Sequence, residues 1–277
     1  MKNYCYFDGK IVDIRKPHLP LDDIGVLRGF GVFDFFRIYN SKPFLLDEHY
    51  KRFVNSAKLI GFKLPISKDK LEVVLQSLLK KNKMKDAHVR MVLTGGRVKD
   101  GILPSKPTFY ILFEERKDLP HNLYTKGASL MVYEHQRLLP QAKTTNYFQA
   151  VQLQAERQRL GAIEILYVDK GKVLEAATSN IFIVKKGVVI TPKDNVLYGI
   201  TRNLVIRLAK KEKLKVVERD IKVDELYKAD EVFLSATNKK VLPIVKINGK
   251  KIGNGRPGDI TLRLLERYEE FVDIYSK

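Results

Sequence analysis

Lys143 stands in Pro140-Gln141-Ala142-Lys143-Thr144-Thr145-Asn146-Tyr147, just after a proline and just before a helical pattern. A lysine amine attacks a carbonyl only when partly neutral, far below its ordinary pKa of about 10.4, which takes desolvation or a nearby cation. Among 51 Lys and Arg residues a given lysine is usually a solvated surface group, so its companions decide. Glu175 closes one strand pattern and opens the small-residue run Ala176-Ala177-Thr178-Ser179-Asn180. Small side chains let a flat ring approach the backbone, while hydroxyls and an amide offer hydrogen bonds. A carboxylate set against a heterocyclic nitrogen would keep it protonated and sustain the ring as an electron sink. The plainer reading is a strand-end glutamate facing water. Two segments could hold a phosphate. Gly199-Ile200-Thr201-Arg202 opens a helix whose free N–H groups and dipole suit an anion, and Ser235-Ala236-Thr237-Asn238 follows a strand with more donors. Arg52, after Asp47-Glu48-His49, is a third partner suited to bidentate contact. Each alone is ordinary, since Ser or Thr at a helix start is usually a cap.

These groups need rigid carriers. Tyr4 to Val12 reads as a hairpin turning at Asp8-Gly9, and 32–39, rich in aromatic and β-branched residues, as a buried strand. Tyr50, Phe53, Val54, Ala57 and Ile60 recur at helical spacing before Gly61; Ser67 caps a second helix with the face Leu71, Val74, Leu75, Leu78 and Leu79. Strands follow at 89–93 and 108–113. Charged residues with Pro120 and Asn122 mark a linker, which divides the chain into domains at 1–115 and 126–277 with 116–125 between them. Beyond it come a strand at 128–133, a helix at 146–160, a meander through 163–168, 172–174, 180–184 and 188–191, a helix at 200–211, a strand at 231–235 and a last helix at 259–268. The class is α+β with two domains.

The single cysteine, Cys5, excludes an intrachain disulfide and fits a reducing, cytoplasmic setting. The stretch from Met1 to Asp8 lacks a signal-peptide core, and no apolar run approaches a membrane span. The formal net charge of +19 raises nucleic-acid binding as a role. The lysines instead gather where helices end, at Lys80, Lys81, Lys83 and Lys85 and at Lys210, Lys211, Lys213 and Lys215, complementing the helix dipole without interleaved aromatics. A solvated basic surface is the favoured reading, and no metal is assigned.

Together these residues resemble the class IV (fold type IV) enzymes that use pyridoxal 5'-phosphate (PLP): branched-chain aminotransferases, D-amino-acid aminotransferases and aminodeoxychorismate lyases. The resemblance runs almost end to end. It takes in Phe7-Asp8-Gly9, Gly29-Phe30-Gly31-Val32-Phe33-Asp34, His49-x-x-Arg52 with Ser56-Ala57, and Lys143-x-x-Asn146-Tyr147. It continues through Glu175-x-x-x-Ser179-Asn180, Gly199-Ile200-Thr201-Arg202, Asp230 to Ser235 and Gly253-x-Gly255-x-Pro257-Gly258. It implies a small α/β sandwich plus a larger pseudo-barrel domain, with Lys143 as Schiff-base and proton-transfer residue and Glu175 against the pyridine nitrogen. It further implies Arg52, Ile200, Thr201 and Thr237 on the phosphate and Tyr147 near the phenolic oxygen, with Ser179, Asn180 and Ala236 lining the cofactor and Phe33 near the substrate. A homodimer in which each site is completed by its neighbour is implied too, acting on an amino acid and a 2-oxo acid by a ping-pong cycle.

Substrate choice rests on what meets a carboxylate. Arg28 and Arg90 both lie in apolar segments, where a guanidinium needs an anionic partner or a wet pocket; a buried ion pair is the plainer reading for each. Branched-chain enzymes typically carry tyrosine at the Arg28 position. The Arg-x-His pair of typical D-amino-acid enzymes is absent from Leu93-Thr94-Gly95-Gly96-Arg97, but the lysine motif has the shorter spacing of the D-amino-acid and lyase branches. Lyases usually carry arginine where Tyr147 stands. The expectation is a variant D-amino-acid aminotransferase (D-glutamate, D-alanine), with a branched-chain L-aminotransferase next, then a lyase.

Overall fold

The computed structural model describes residues 3–277, so Met1 and Lys2 of the N-terminal stretch read above lie outside it. The chain forms two compact units. The first holds the described residues up to Arg116 together with Ala142–Tyr147 and Tyr275–Lys277; the second holds Lys117–Gln141 and Phe148–Ile274.

In the first unit, β1 (Tyr4–Phe7) and β2 (Lys10–Asp13) make the expected hairpin, with Asp8 and Gly9 both at positive φ. Then come α1 (Ile24–Arg28), β3 (Gly31–Tyr39), β4 (Lys42–Pro43), α2 (Leu46–Leu59), α3 (Lys68–Asn82), β5 (Ala87–Thr94) and β6 (Thr108–Glu114). The strands form a six-stranded sheet in the order β2-β1-β6-β5-β3-β4. Residues Val32, Phe36 and Ile38 of β3 pack with Phe53 and Ala57 of α2 and with Leu71, Val74, Leu75, Leu78 and Leu79 of α3. Burying a side chain such as Phe53 stabilises by about 1.5–3 kcal/mol. The face of α2 differs from the expectation. Val54 is exposed, and the buried positions are Leu46, His49, Phe53, Ser56 and Ala57. The helix is turned so that a histidine and a serine, invisible to a hydrophobic pattern, face inward.

In the second unit, α4 (Asn122–Lys126) leads into β7 (Ala128–Glu134). The expected helix at 146–160 is broken at Leu153 into α5 (Phe148–Gln152) and α6 (Gln154–Arg159). There follow β8 (Glu164–Asp169), β9 (Lys172–Ala176), β10 (Asn180–Lys185), β11 (Val188–Thr191), α7 (Ile200–Lys211), β12 (Val216–Glu218), β13 (Ile221–Lys222), α8 (Val223–Tyr227) and β14 (Glu231–Ala236). The chain ends with β15 (Lys240–Ile247), β16 (Lys250–Lys251) and α9 (Asp259–Ser276). Ten strands form one sheet, β12-β11-β10-β14-β15-β7-β8-β9-β13 with β16 beside β15, curled into a half-barrel. Its core includes the stacked rings of Phe182 and Phe233 at 4.8 Å. Lys80 and Lys81 sit in the last turn of α3, and Lys210 and Lys211 in that of α7, where cations complement the dipole. Among the described residues no helix is long and apolar enough to cross a membrane. The α+β expectation holds.

Candidate active site

Lys143 is carried by the first unit. The segment Ala142–Tyr147 lies antiparallel along the start of β3, with Val32 and Thr144 bridged. Phe33 N–H donates to the Lys143 carbonyl (2.9 Å), Thr145 N–H to the Gly31 carbonyl (2.9 Å), and Lys143 N–H to Ser56 Oγ (3.1 Å). Gly31 permits this approach, because a Cβ there would lie 2.8 Å from the Leu93 carbonyl and 3.1 Å from Thr145 Oγ1. The backbone of the lysine is thus pinned on three sides. Its ammonium lies 4.5 Å from the centroid of the Phe33 ring, which also meets the Tyr147 ring edge-on at 5.8 Å.

Arg52 shares its guanidinium with a fully buried carboxylate. Its Nε and Nη2 donate to Asp34 Oδ2 and Oδ1, both at 2.8 Å, and His49 Nδ1 lies 2.7 Å from the same Oδ1. Burial alone would raise the Asp34 pKa, but Arg52 and His49 outweigh it and hold the carboxyl well below the usual range. Burial also pushes His49 below its ordinary value against the pull of Asp34, so a neutral imidazole donates Nδ1–H to an ionised Asp34. Arg52 keeps Nη1 for a further acceptor, with no bond from it to a described residue. Nothing in the sequence marked Asp34 or His49 as a pair; the strand–helix packing brings them together.

The opposite face of the same sheet carries Phe33, Phe35 and Arg90. The Arg90 guanidinium lies 5.6 Å and 5.0 Å from the two ring centroids, and Nε donates to Glu114 Oε1 at 2.8 Å. Its Nη groups make no bond to a described residue. Two cations therefore flank the Phe33 ring. Arg28 is placed differently: it is exposed at the end of α1 and donates to the neighbouring Leu27 carbonyl (2.9 Å). Sequence reading missed Arg37, which is 1% exposed and donates from Nε to His88 Nε2 (3.1 Å) and from Nη1 to Tyr39 Oη (3.3 Å). Its alternation with Phe33 and Phe35 was the signal available.

In the second unit Glu175, at the end of β9, is 4% exposed. It accepts from Leu197 N–H (3.0 Å), from the Asn180 amide (3.5 Å) and from Arg137 Nη2. The water-facing reading of Glu175 is therefore excluded. Asn180 Nδ2 also donates to the Leu197 carbonyl (2.7 Å), and a Cβ on Gly199 would meet Asn180 Oδ1 at 2.1 Å. One amide thus fixes the loop that enters α7. The helix has no side-chain cap at Gly199, so the first-turn N–H groups around Ile200 and Thr201 are open to an anion. Asn180 pairs in register with Ser235, whose buried Oγ has no partner among the described residues; Ala236 and Thr237 come next. Ser179 is buried and its hydroxyl donates to Glu164 (2.6 Å), while Arg202 is committed to Glu218 and the Pro192 carbonyl.

In the second unit, an orphaned hydroxyl and an uncapped helix start fit a phosphate and a desolvated carboxylate fits a protonated ring nitrogen; in the first, a guanidinium with a spare Nη suits an anion. Each unit by itself carries groups of the kind PLP requires. Bound there, PLP supplies an electron sink for carbanionic chemistry.

The family model for amino-transferase class IV matches residues 31–247. The chain is 35% identical over 276 residues to a putative branched-chain-amino-acid aminotransferase of Methanocaldococcus jannaschii, covering 96% of this chain and 95% of that one. It is 30% identical over 264 residues to a D-alanine aminotransferase of Bacillus licheniformis, covering 92% of each. Its structure matches that of the T.th. branched-chain amino acid aminotransferase with pyridoxamine 5'-phosphate with a TM-score of 0.91 at 30% identity, covering 98% of this chain and 94% of that one. Fold, site chemistry and kinship converge: the chain belongs to the class IV aminotransferases, the PLP-dependent enzymes of fold type IV.

Proposed function

We propose that the chain transfers amino groups between branched-chain L-amino acids and a dicarboxylic 2-oxo acid, with Lys143 as the proton-transfer residue. The observation that carries the reading is the Phe33–Phe35 face with Arg90 above it, flanked by the Lys143 ammonium. Aromatic rings suit an aliphatic side chain, and the spare Nη groups of Arg90 suit the distal carboxylate of the alternate substrate. Lys143 Nζ takes the proton leaving the substrate Cα and returns it, acting first as base and then as acid. Glu175 holds a proton on the ring nitrogen, and Arg52, Ile200, Thr201 and Thr237 orient the phosphate.

The D-amino-acid reading is supported by the likeness to D-alanine aminotransferase and by the short lysine motif. Paired L-leucine and D-alanine donors, each with 2-oxoglutarate, decide between them by the 2-oxo acid formed. Turnover confined to D-donors would overturn the L reading. Borohydride reduction of the yellow protein followed by peptide mapping tests Lys143; a label elsewhere refutes its role.

The same reading includes a homodimer in a cytoplasmic setting. The dimer is supported by Leu21, Val26, Ile102 and Leu103, exposed by 90%, 59%, 74% and 55%, on α1 with the residues before it and on the loop after β5, which are joined by Ile24 N–H to Gly96 and Val98 N–H to Asp22 carbonyls.

A further inference from the structure

Glu164 and Lys239 are buried charges that the chemistry above does not use. Their side chains are 6% and 8% exposed, and they pair at 3.4 Å between Oε2 and Nζ. Glu164, the first residue of β8, accepts from three groups of the turn at 176–179: Thr178 N–H, Thr178 Oγ1 (2.6 Å) and Ser179 Oγ (2.6 Å). Lys239 closes a second turn, its N–H donating to the Ala236 carbonyl (3.1 Å) and its own carbonyl accepting from Tyr124 Oη (3.2 Å). Its ammonium also donates to Thr178 Oγ1 (2.9 Å). The β10–β14 ladder ends at Asn180 and Ser235. Beyond that pair, the ammonium bridges the tip that follows Glu175 to the tip that presents Ser235, Ala236 and Thr237.

We propose that the Glu164–Lys239 pair positions these two turns and thereby sets the affinity of the chain for the phosphate end of its cofactor. The inference rests on the reading that segments 175–180 and 235–238 hold PLP. A desolvated ion pair saturated by hydrogen bonds is a stiff spacer, whereas a single charge left behind relaxes by admitting water and moving its turn. Removing the ammonium therefore frees the 236–239 turn while Glu175 keeps its bonds to Leu197, Asn180 and Arg137.

The test titrates the full-length apo chain with PLP and, separately, with pyridoxal, which lacks the phosphate, following absorbance above 400 nm. Lys239→Met is expected to weaken PLP by about tenfold or more, as loss of an orienting partner commonly does, with pyridoxal changed by less than about threefold. Lys239→Arg, which keeps the charge, should stay within about threefold of wild type for both. Should Lys239→Met fail to fold, Glu164→Gln carries the same expectation, because it keeps one acceptor oxygen for Thr178 but loses the charge and sets an amide NH2 where Ser179 and the ammonium met the second carboxylate oxygen. Unchanged PLP affinity, or an equal loss for PLP and pyridoxal, overturns the inference while leaving the aminotransferase reading intact. A wild-type chain that takes up no PLP overturns both.

Discussion

Replacing Asp34 with Asn removes one charge from the centre of the Arg52–His49 cluster without changing the shape of the side chain. Breaking a buried ion pair by deleting one partner typically costs about 3–5 kcal/mol. The lower end applies, because Asn keeps one carbonyl for Arg52 and the guanidinium is 11% exposed, so water can reach it. A loss of about 3 kcal/mol corresponds to a Tm lower by about 6–12 °C for a chain of this size. Thermal unfolding followed by circular dichroism measures it, with PLP titration alongside, since the freed guanidinium loses its aim. An Asp34→Asn protein within about 2 °C of wild type and with unchanged PLP affinity would refute the claim that this carboxylate holds Arg52.

The same cluster makes stability depend on pH. Burial depresses the His49 pKa, so below about pH 6.5 the unfolded chain binds a proton that the folded chain refuses, and stability falls with acidity by up to about 1.4 kcal/mol per pH unit. His49→Gln should flatten Tm between about pH 7 and pH 5, while the Asp34 contribution persists until below about pH 4; an unaltered slope in the variant speaks against a neutral His49. Gly199→Ala drives a methyl into Asn180 Oδ1 and should cost about 1–3 kcal/mol and weaken PLP binding, with Asn180→Ala in the same chain restoring much of the stability; no loss in the single variant contradicts the tight loop. Ile102→Glu, at a position 74% exposed, should turn a dimer into a monomer by light scattering, and a variant that stays dimeric removes that loop from the interface.

Lys143 and Glu175 were legible because their neighbours are chemically odd: a proline and paired threonines before a helix, and five small residues closing a strand. Arg52 was legible only in part. Its residue type pointed to an anion, but the anion it already holds, Asp34, sits in a run of aromatic residues where a carboxylate reads as a strand interruption. The burial of Ser56 and His49 was hidden for the opposite reason, since polar residues on a buried helix face weaken the hydrophobic pattern that locates the face. Arg28 was singled out for standing among apolar residues; in the fold, Val26 and Leu27 beside it are exposed by 59% and 42%. β15 escaped notice because Pro243 lies inside it, although it sits between β14 and β7. The proline falls next to the register shift at Ile244 and Lys246, where the strand is irregular and tolerates a missing donor.

Residues 142–147 and the last three residues complete the unit that the N-terminus begins. Tyr275 Oη, for instance, donates to the Pro43 carbonyl at 3.2 Å. On the ribosome, the last strand of this sheet, ending at Glu114, is therefore made before the segment Ala142–Tyr147 that lies along β3. Neither unit is one uninterrupted stretch of polypeptide. A single cut at residue 116 would strip the first of its lysine segment, and rebuilding either half as an independent fragment calls for rewired connections, not mere truncation.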